Sequence, residues 1–216
     1  MCLSPSPFGR GARGEGEITP DYEASRVFLP SPGASHHPLP KGEGCNLQFF
    51  RSLKMNIQTS YSTSLLRLYQ KFTKYPLGHW MFSKAVCFKA PYFGTISPKI
   101  ILLENGRCEA IINDRRSVHN HIGTVHAIAL CNLAELCAGV MTDASLPQGM
   151  RWIPKGMTVS YLKKASGTLR GIATPMIPLE TRDSAYDLPI NVDVLDESGV
   201  KVFHAEIRMW LSPKPQ

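Results

Sequence analysis

Residues 120–135 read NHIGTVHAIALCNLAE. A loop rich in hydrogen-bonding groups turns there into a helix, expected over Thr124 to Met141, that is apolar almost all the way round. A helix apolar on every side must be covered on every side. One twisted sheet can wrap most of it, and the remainder needs a partner, so a dimer is expected from this helix alone. Inside the apolar run stand His126, Asn132 and Glu135. Burying a carboxylate costs several kcal/mol unless it is paired or neutralised, which makes Glu135 a functional candidate.

Helical phase divides these residues. His126 and Glu135 are nine positions apart, about 900° at roughly 100° per residue, or half a turn out of phase. They point to opposite faces and lie about 13 Å apart along the axis, so one subunit cannot bring them into one site. A dyad could set the start of one helix against the middle of the other. Asn132 lies three residues before Glu135, an expected near neighbour. The helix start offers free N–H groups and a positive dipole end, suited to a carbonyl oxygen that gains negative charge. Ala127 and Ile128 are placed to present such donors, Asn120 and His126 to orient substrate or water, and Glu135 to act as general base or as nucleophile. From the residues alone, a second reading stays open: His126 is a satisfied core histidine and Glu135 pairs with a basic residue across the dimer.

The rest of the chain frames this helix. The segment 1–54 holds 14 of the 34 glycines and prolines and near-repeats such as Gly14-Glu15-Gly16 and Gly42-Glu43-Gly44. It cannot bury enough apolar surface to offset its ordering entropy. It is expected to be a disordered tail outside the fold, and Met55 is the expected natural start. Ser64 to Tyr75 reads as an amphipathic helix, followed by a second apolar helix over about Trp80 to Phe88. This pair, within a helical extension over 55–92, is either a membrane-surface element or a lid or dimer contact packed on the domain. Packing on the domain is the expectation.

Strands are expected at Thr95–Leu103 and Arg107–Asn113, joined by a hairpin at Asn105-Gly106. Four more come after the long helix, at Arg151–Lys163, Gly167–Met176, Pro189–Leu195 and Val200–Leu211, the last two joined by a reversal at Asp196-Glu197-Ser198-Gly199. The pattern predicts a mostly antiparallel sheet around one long helix, an α+β design.

Composition narrows the chemistry. Lys plus Arg number 24 against 17 Asp plus Glu, a net +7. That suits an anionic small ligand, but no dense basic block argues for nucleic acid. The six cysteines form no C-x-x-C pair and are read as thiols in a reducing, cytoplasmic compartment. His119, His121 and His126 cluster, yet no second ligand group has metal spacing, so no metal is expected. No run is expected to approach the length of a membrane span, and no membrane partner is expected.

The Asn120, His126 and Glu135 spacing resembles the signature of hotdog-fold thioesterases, especially the phenylacetic-acid-degradation type: Asn, His six residues later, a carboxylate nine after that. The run Tyr161 to Leu169 resembles that family's strand-turn-strand segment, and the likeness covers about Phe93 to Leu211. The lead-in from Met55 looks like a poorly characterised bacterial branch of hotdog proteins. The resemblance implies a hotdog domain over 93–212, pairing into a dimer or a dimer of dimers. It implies sites at the subunit interface for acyl-CoA or acyl-carrier-protein thioesters, with no resident cofactor beyond the CoA of the substrate. The catalytic residues carried over are Glu135, Asn120 and His126. Gly123, Ala127, Ile128, Asn132, Lys163 and Lys164 are expected to meet substrate, the lysines through cofactor phosphates. Relatives often read His-Gly-Gly where this chain has His126-Ala127-Ile128. The backbone donors survive that change, but Ile128 makes close approach harder. Hydrolysis is the expected reaction, with carrier-linked decarboxylation or plain acyl-CoA binding as alternatives.

Overall fold

The computed structural model describes residues 63–215. The expected tail 1–54 and the first part of the helical extension, 55–62, lie outside the described residues.

Two helices lead in, α1 (Ser64–Phe72) and α2 (Gly78–Lys89). Thr63 caps α1 by accepting from the Leu66 N–H, and Pro76 separates the helices. Their inner face is anchored to the domain. Phe82 is fully buried and meets the Tyr69 ring edge-on at 5.1 Å. Tyr69 donates to the Ile101 carbonyl (3.1 Å), and Ser83 accepts the Ile100 N–H (2.8 Å). The extension thus packs on the domain as expected.

The sheet has six strands: β1 (Lys99–Glu104), β2 (Arg107–Ile112), β3 (Met150–Tyr161), β4 (Leu169–Pro175), β5 (Tyr186–Leu195) and β6 (Lys201–Pro213). They are antiparallel throughout, in the order β1-β2-β4-β5-β6-β3. The Asn105-Gly106 hairpin forms as expected, with Glu104 opposite Arg107 and Gly106 at φ +73°. Alternation is cleanest in β5, where Leu188, Ile190, Val192 and Val194 are wholly buried and intervening residues face away from the core. The twelve-residue β3 is an edge strand, and Pro154 sits there because an edge tolerates a missing donor.

The sheet wraps helix α3 (Ala127–Ser145), the hotdog arrangement of an α+β fold. Contrary to the expectation from sequence, α3 is long and apolar enough to cross a membrane by length and composition, with 19 residues and mean hydropathy 1.4. It is instead the core helix, most of it buried within the fold. Helix α3 starts three residues later than expected because Thr124 and Val125 are committed to the preceding loop. It ends four residues later, with Thr142 donating back to the Ala138 carbonyl. The expected strand at Thr95 begins only at Lys99. Pro91–Ile96 forms a 3-10 helix closed by Ser97 at φ 46°, and Pro98 has no N–H for a ladder.

One stripe of α3 remains incompletely covered: Cys131, Glu135 and Gly139 are half-buried and Asp143 is exposed. Edge strand β3 runs past it. Its Trp152 ring packs against Gly139 and donates to Asp143 (2.5 Å), while Tyr161 meets Cys131 at 3.3 Å. Glu135 lies between these two contacts.

Candidate active site

The approach to α3 is fastened from several directions. The Asn120 N–H donates to the Thr124 carbonyl (2.8 Å), and Asn120 Oδ1 accepts from the Ile122 and Thr124 N–H groups (both 3.1 Å). Asn120 Nδ2 donates to Thr124 Oγ1 (2.8 Å). Gly123, at φ +77°, completes the reversal. The Asn120 side chain is therefore engaged with its own loop, and its contribution is to position the start of α3. Beyond the reversal, Val125 donates to the Ala165 carbonyl and His126 to the Val118 carbonyl.

Alongside, the Asp114 carboxylate accepts from the Gly167 N–H (2.8 Å) and contacts the His119 ring. Those two partners, the backbone N–H first, hold its pKa below the usual carboxylate range. The three histidines do not act together. His119 is held by Asp114, His121 is exposed, and His126 caps α3. Among the described residues, no three His, Cys, Asp or Glu side chains gather as a metal would require.

His126 is the N-cap residue, with extended backbone and Nδ1 accepting from the Ile128 N–H at 3.0 Å. An accepting Nδ1 assigns the neutral ring to the tautomer carrying its proton on Nε2. The bond also occupies the Ile128 N–H, one of the two donors expected to face a substrate carbonyl. Ala127, as the first helical residue, keeps an N–H with no intrahelical acceptor.

A cleft of about 210 Å³ opens beside this cap, lined by His126, Ile128, Ala129, Asn132, Thr95 and Ser117 among others. Asn132 is 5% exposed. Its Nδ2 donates to Thr95 Oγ1 (3.2 Å), which in turn donates to the Tyr92 carbonyl (2.8 Å). Asn132 Oδ1 is buried without a partner, a condition that costs about 1–3 kcal/mol if it stays unsatisfied. The cleft thus carries one acceptor awaiting a donor. Asn132 and Glu135, three residues apart and about 60° round the helix axis, line different cavities.

Glu135 lines a second and larger cavity, of about 1010 Å³, bounded by α1, α2, α3 and the start of β3. Phe82, Phe93, Leu136 and Trp152 supply apolar wall, while Arg67 and Lys89 supply positive charge. Glu135 itself is half-buried rather than enclosed, because the sheet leaves its stripe of the helix open. The carboxylate that is enclosed is Glu109 on β2, 2% exposed and held by Arg107 and Arg170 on the sheet face away from α3. Nothing in the hydrophobic pattern distinguished it. Lys163 and Lys164 are exposed just beyond β3 and line neither cavity. Thr95 and Tyr92, both at the cleft, escaped the sequence reading: Thr95 was expected in a strand, and Tyr92 lay between the expected helix and that strand.

The model for a family described as "Domain of unknown function (DUF4442)" matches residues 78–211. The solved structure of structural-genomics target APC5556 is 42% identical, with a TM-score of 0.60, covering 69% of this chain and 99% of that one. The thioesterase HI1161 from Haemophilus influenzae is similar in fold at 15% identity and a TM-score of 0.52, covering 60% of this chain and 87% of that one. PA5026 from Pseudomonas aeruginosa, described as a "Probable Thioesterase", reaches 22% identity and a TM-score of 0.55, covering 61% and 93%. No match was found among curated proteins. The chain belongs to the family of the DUF4442 domain, and its fold is the hotdog fold of thioesterase-family proteins.

Proposed function

We propose that this protein hydrolyses an acyl thioester, carried by CoA or by an acyl-carrier protein, at a site completed by a second subunit. One observation carries the reading: His126 and Asn132 share the cleft at the start of α3, while Glu135 lines a different cavity. A complete set of cap, acceptor and carboxylate requires two copies. The open stripe of α3 beside edge strand β3 supports pairing there, since an unpaired twelve-residue strand is a template for another chain. The names of the hotdog neighbours support hydrolysis as the reaction class.

In this reading the Ala127 N–H polarises the thioester carbonyl at the positive end of α3. Asn132 Oδ1 accepts from the attacking water or from an amide N–H of the substrate's carrier arm. Glu135 of the partner removes the water proton, the thiolate leaves, and the acid is released. Neither a metal nor a resident cofactor is invoked. Lys163 and Lys164, set apart from the cleft of their own subunit, are assigned to carrier phosphates at the partner's site.

The test is turnover of a panel of acyl-CoA compounds by wild type and by Glu135→Ala. Loss of at least about a hundredfold in kcat is expected of a missing general base. Equal rates in a folded, dimeric variant remove Glu135 from the mechanism.

The occupied Ile128 N–H, with the Ile128 side chain 55% exposed at the cleft, favours a second reading, a non-catalytic acyl-CoA-binding protein. Saturable binding by calorimetry with no free thiol or acid formed over hours would select it.

A further inference from the structure

Helix α2 buries one face, and its other face and the segments flanking it expose large apolar side chains. Phe88 is 90% exposed, Tyr75 69%, Leu77 and Tyr92 67%, Trp80 54% and Met81 45%. Helical spacing sets Trp80, Lys84 and Phe88 along one ridge of α2, with Leu77, Met81 and Ala85 along the next. The Lys84 ammonium lies 5.9 Å from the Trp80 ring centre. A monomer surface seldom carries this many exposed large apolar side chains in one segment without a use.

Charge selects the occupant. Between residues 63 and 98 stand five cations, Arg67, Lys71, Lys74, Lys84 and Lys89, and no Asp or Glu. This segment alone contributes +5 to a chain whose net charge is +7. None of the five takes part in an ion pair among the described residues. A second copy brought face to face would set five cations against five. A flat anionic surface neutralises them, and amphipathic Trp and Tyr rings with snorkelling lysines suit the boundary between headgroups and acyl chains.

We propose that the outer face of α1 and α2 docks on an anionic phospholipid bilayer, with Trp80 and Phe88 inserted at the interface and the five cations over the headgroups. Arg67, Leu68, Ala85 and Lys89 belong both to these helices and to the lining of the large cavity. The proposal does not depend on the reaction assigned above.

The test is co-sedimentation of the full chain with phosphatidylglycerol/phosphatidylcholine vesicles and with pure phosphatidylcholine vesicles, together with quenching of tryptophan emission by brominated acyl chains. Binding to the anionic vesicles is expected at low salt and loss of it at high salt. Lys71→Glu and Lys84→Glu should each weaken partitioning by at least about fivefold. Trp80→Ala with Phe88→Ala should abolish the quenching while circular dichroism and melting remain those of wild type, since both side chains are exposed. Equal binding to the two vesicle types overturns the proposal, as does binding unaltered by the Trp80/Phe88 substitutions. A fall in the lipid-free protein's sedimentation coefficient on those substitutions also overturns it and assigns the face to a second copy. Vesicle binding that appears only after removal of residues 1–54 overturns it for the full chain and makes that segment the occupant.

Discussion

His126 and Glu135 ride the same helix and open onto different cavities, the first onto the cleft at the helix start and the second onto the space beneath α1 and α2. If catalysis needs both, His126→Ala and Glu135→Ala should each be inactive alone. Mixing the two after unfolding and refolding should restore activity. Random pairing makes half the dimers mixed, and each mixed dimer holds one site with neither substitution, so about a quarter of wild-type activity is expected. Mixed preparations that stay inactive, with subunit exchange shown by mass spectrometry, would place the two residues in separate functions.

His126 has a structural duty that must be separated from any chemical one. Its Nδ1 caps α3 through the Ile128 N–H, and loss of an N-cap costs about 1 kcal/mol. Urea denaturation should show that loss for His126→Ala and recovery of most of it for His126→Asn, whose side-chain oxygen can cap. Activity that returns with the cap marks His126 as a positioning residue. Activity absent from both variants marks the imidazole itself as necessary.

The sequence made the helix legible because its apolar run is long and its polar exceptions few. That His126 and Glu135 open onto different cavities was legible too, because it follows from the helical repeat alone. What stayed hidden depends on distant chain segments. Thr95 reaches Asn132 across 37 positions, and only the folded sheet reveals which stripe of α3 remains open. The Asn120 side-chain acceptor satisfies two N–H groups of its own loop, a local bond that a spacing motif cannot distinguish from a substrate contact. Glu109 was illegible for a related reason, since its enclosure depends on Arg170, 61 positions away in sequence.

Helix α3 presses closely on the sheet at Gly171 of β4. A Cβ there would lie 3.0 Å from Leu133 Cγ and 3.1 Å from Cys137 Sγ, and both of those residues are wholly buried. Gly171→Ala is expected to destabilise the fold by about 1–3 kcal/mol through overpacking, read as a lower urea midpoint with an unchanged slope. Adding Cys137→Ala should return part of that loss, because it removes one of the two clashing atoms. Purely additive effects would mean that the helix shifts to accommodate the methyl group.

The enclosed carboxylate predicts acid sensitivity of a defined sign. Burial by itself would raise the pKa of Glu109, but hydrogen bonds and charge from Arg170 and Arg107 outweigh it and set the group below its ordinary 4.5. A carboxylate lowered in this way binds its proton more readily in the unfolded chain. It therefore stabilises the fold above the unfolded value, and that contribution is lost as pH falls through the lower, folded one. Both guanidiniums are nearly half exposed, so screening limits the contribution at neutral pH to about 1–2 kcal/mol. Urea titrations of wild type and Glu109→Gln should differ by this amount at pH 7, and the difference should shrink on acidification below about pH 4.5. Removing both arginines should be worse than removing the carboxylate, by about 3 kcal/mol or more in total, because it leaves a buried charge without a partner. A gap between wild type and Glu109→Gln that is constant from pH 7 to pH 3 would show that the substitution acts through packing rather than through the ion cluster.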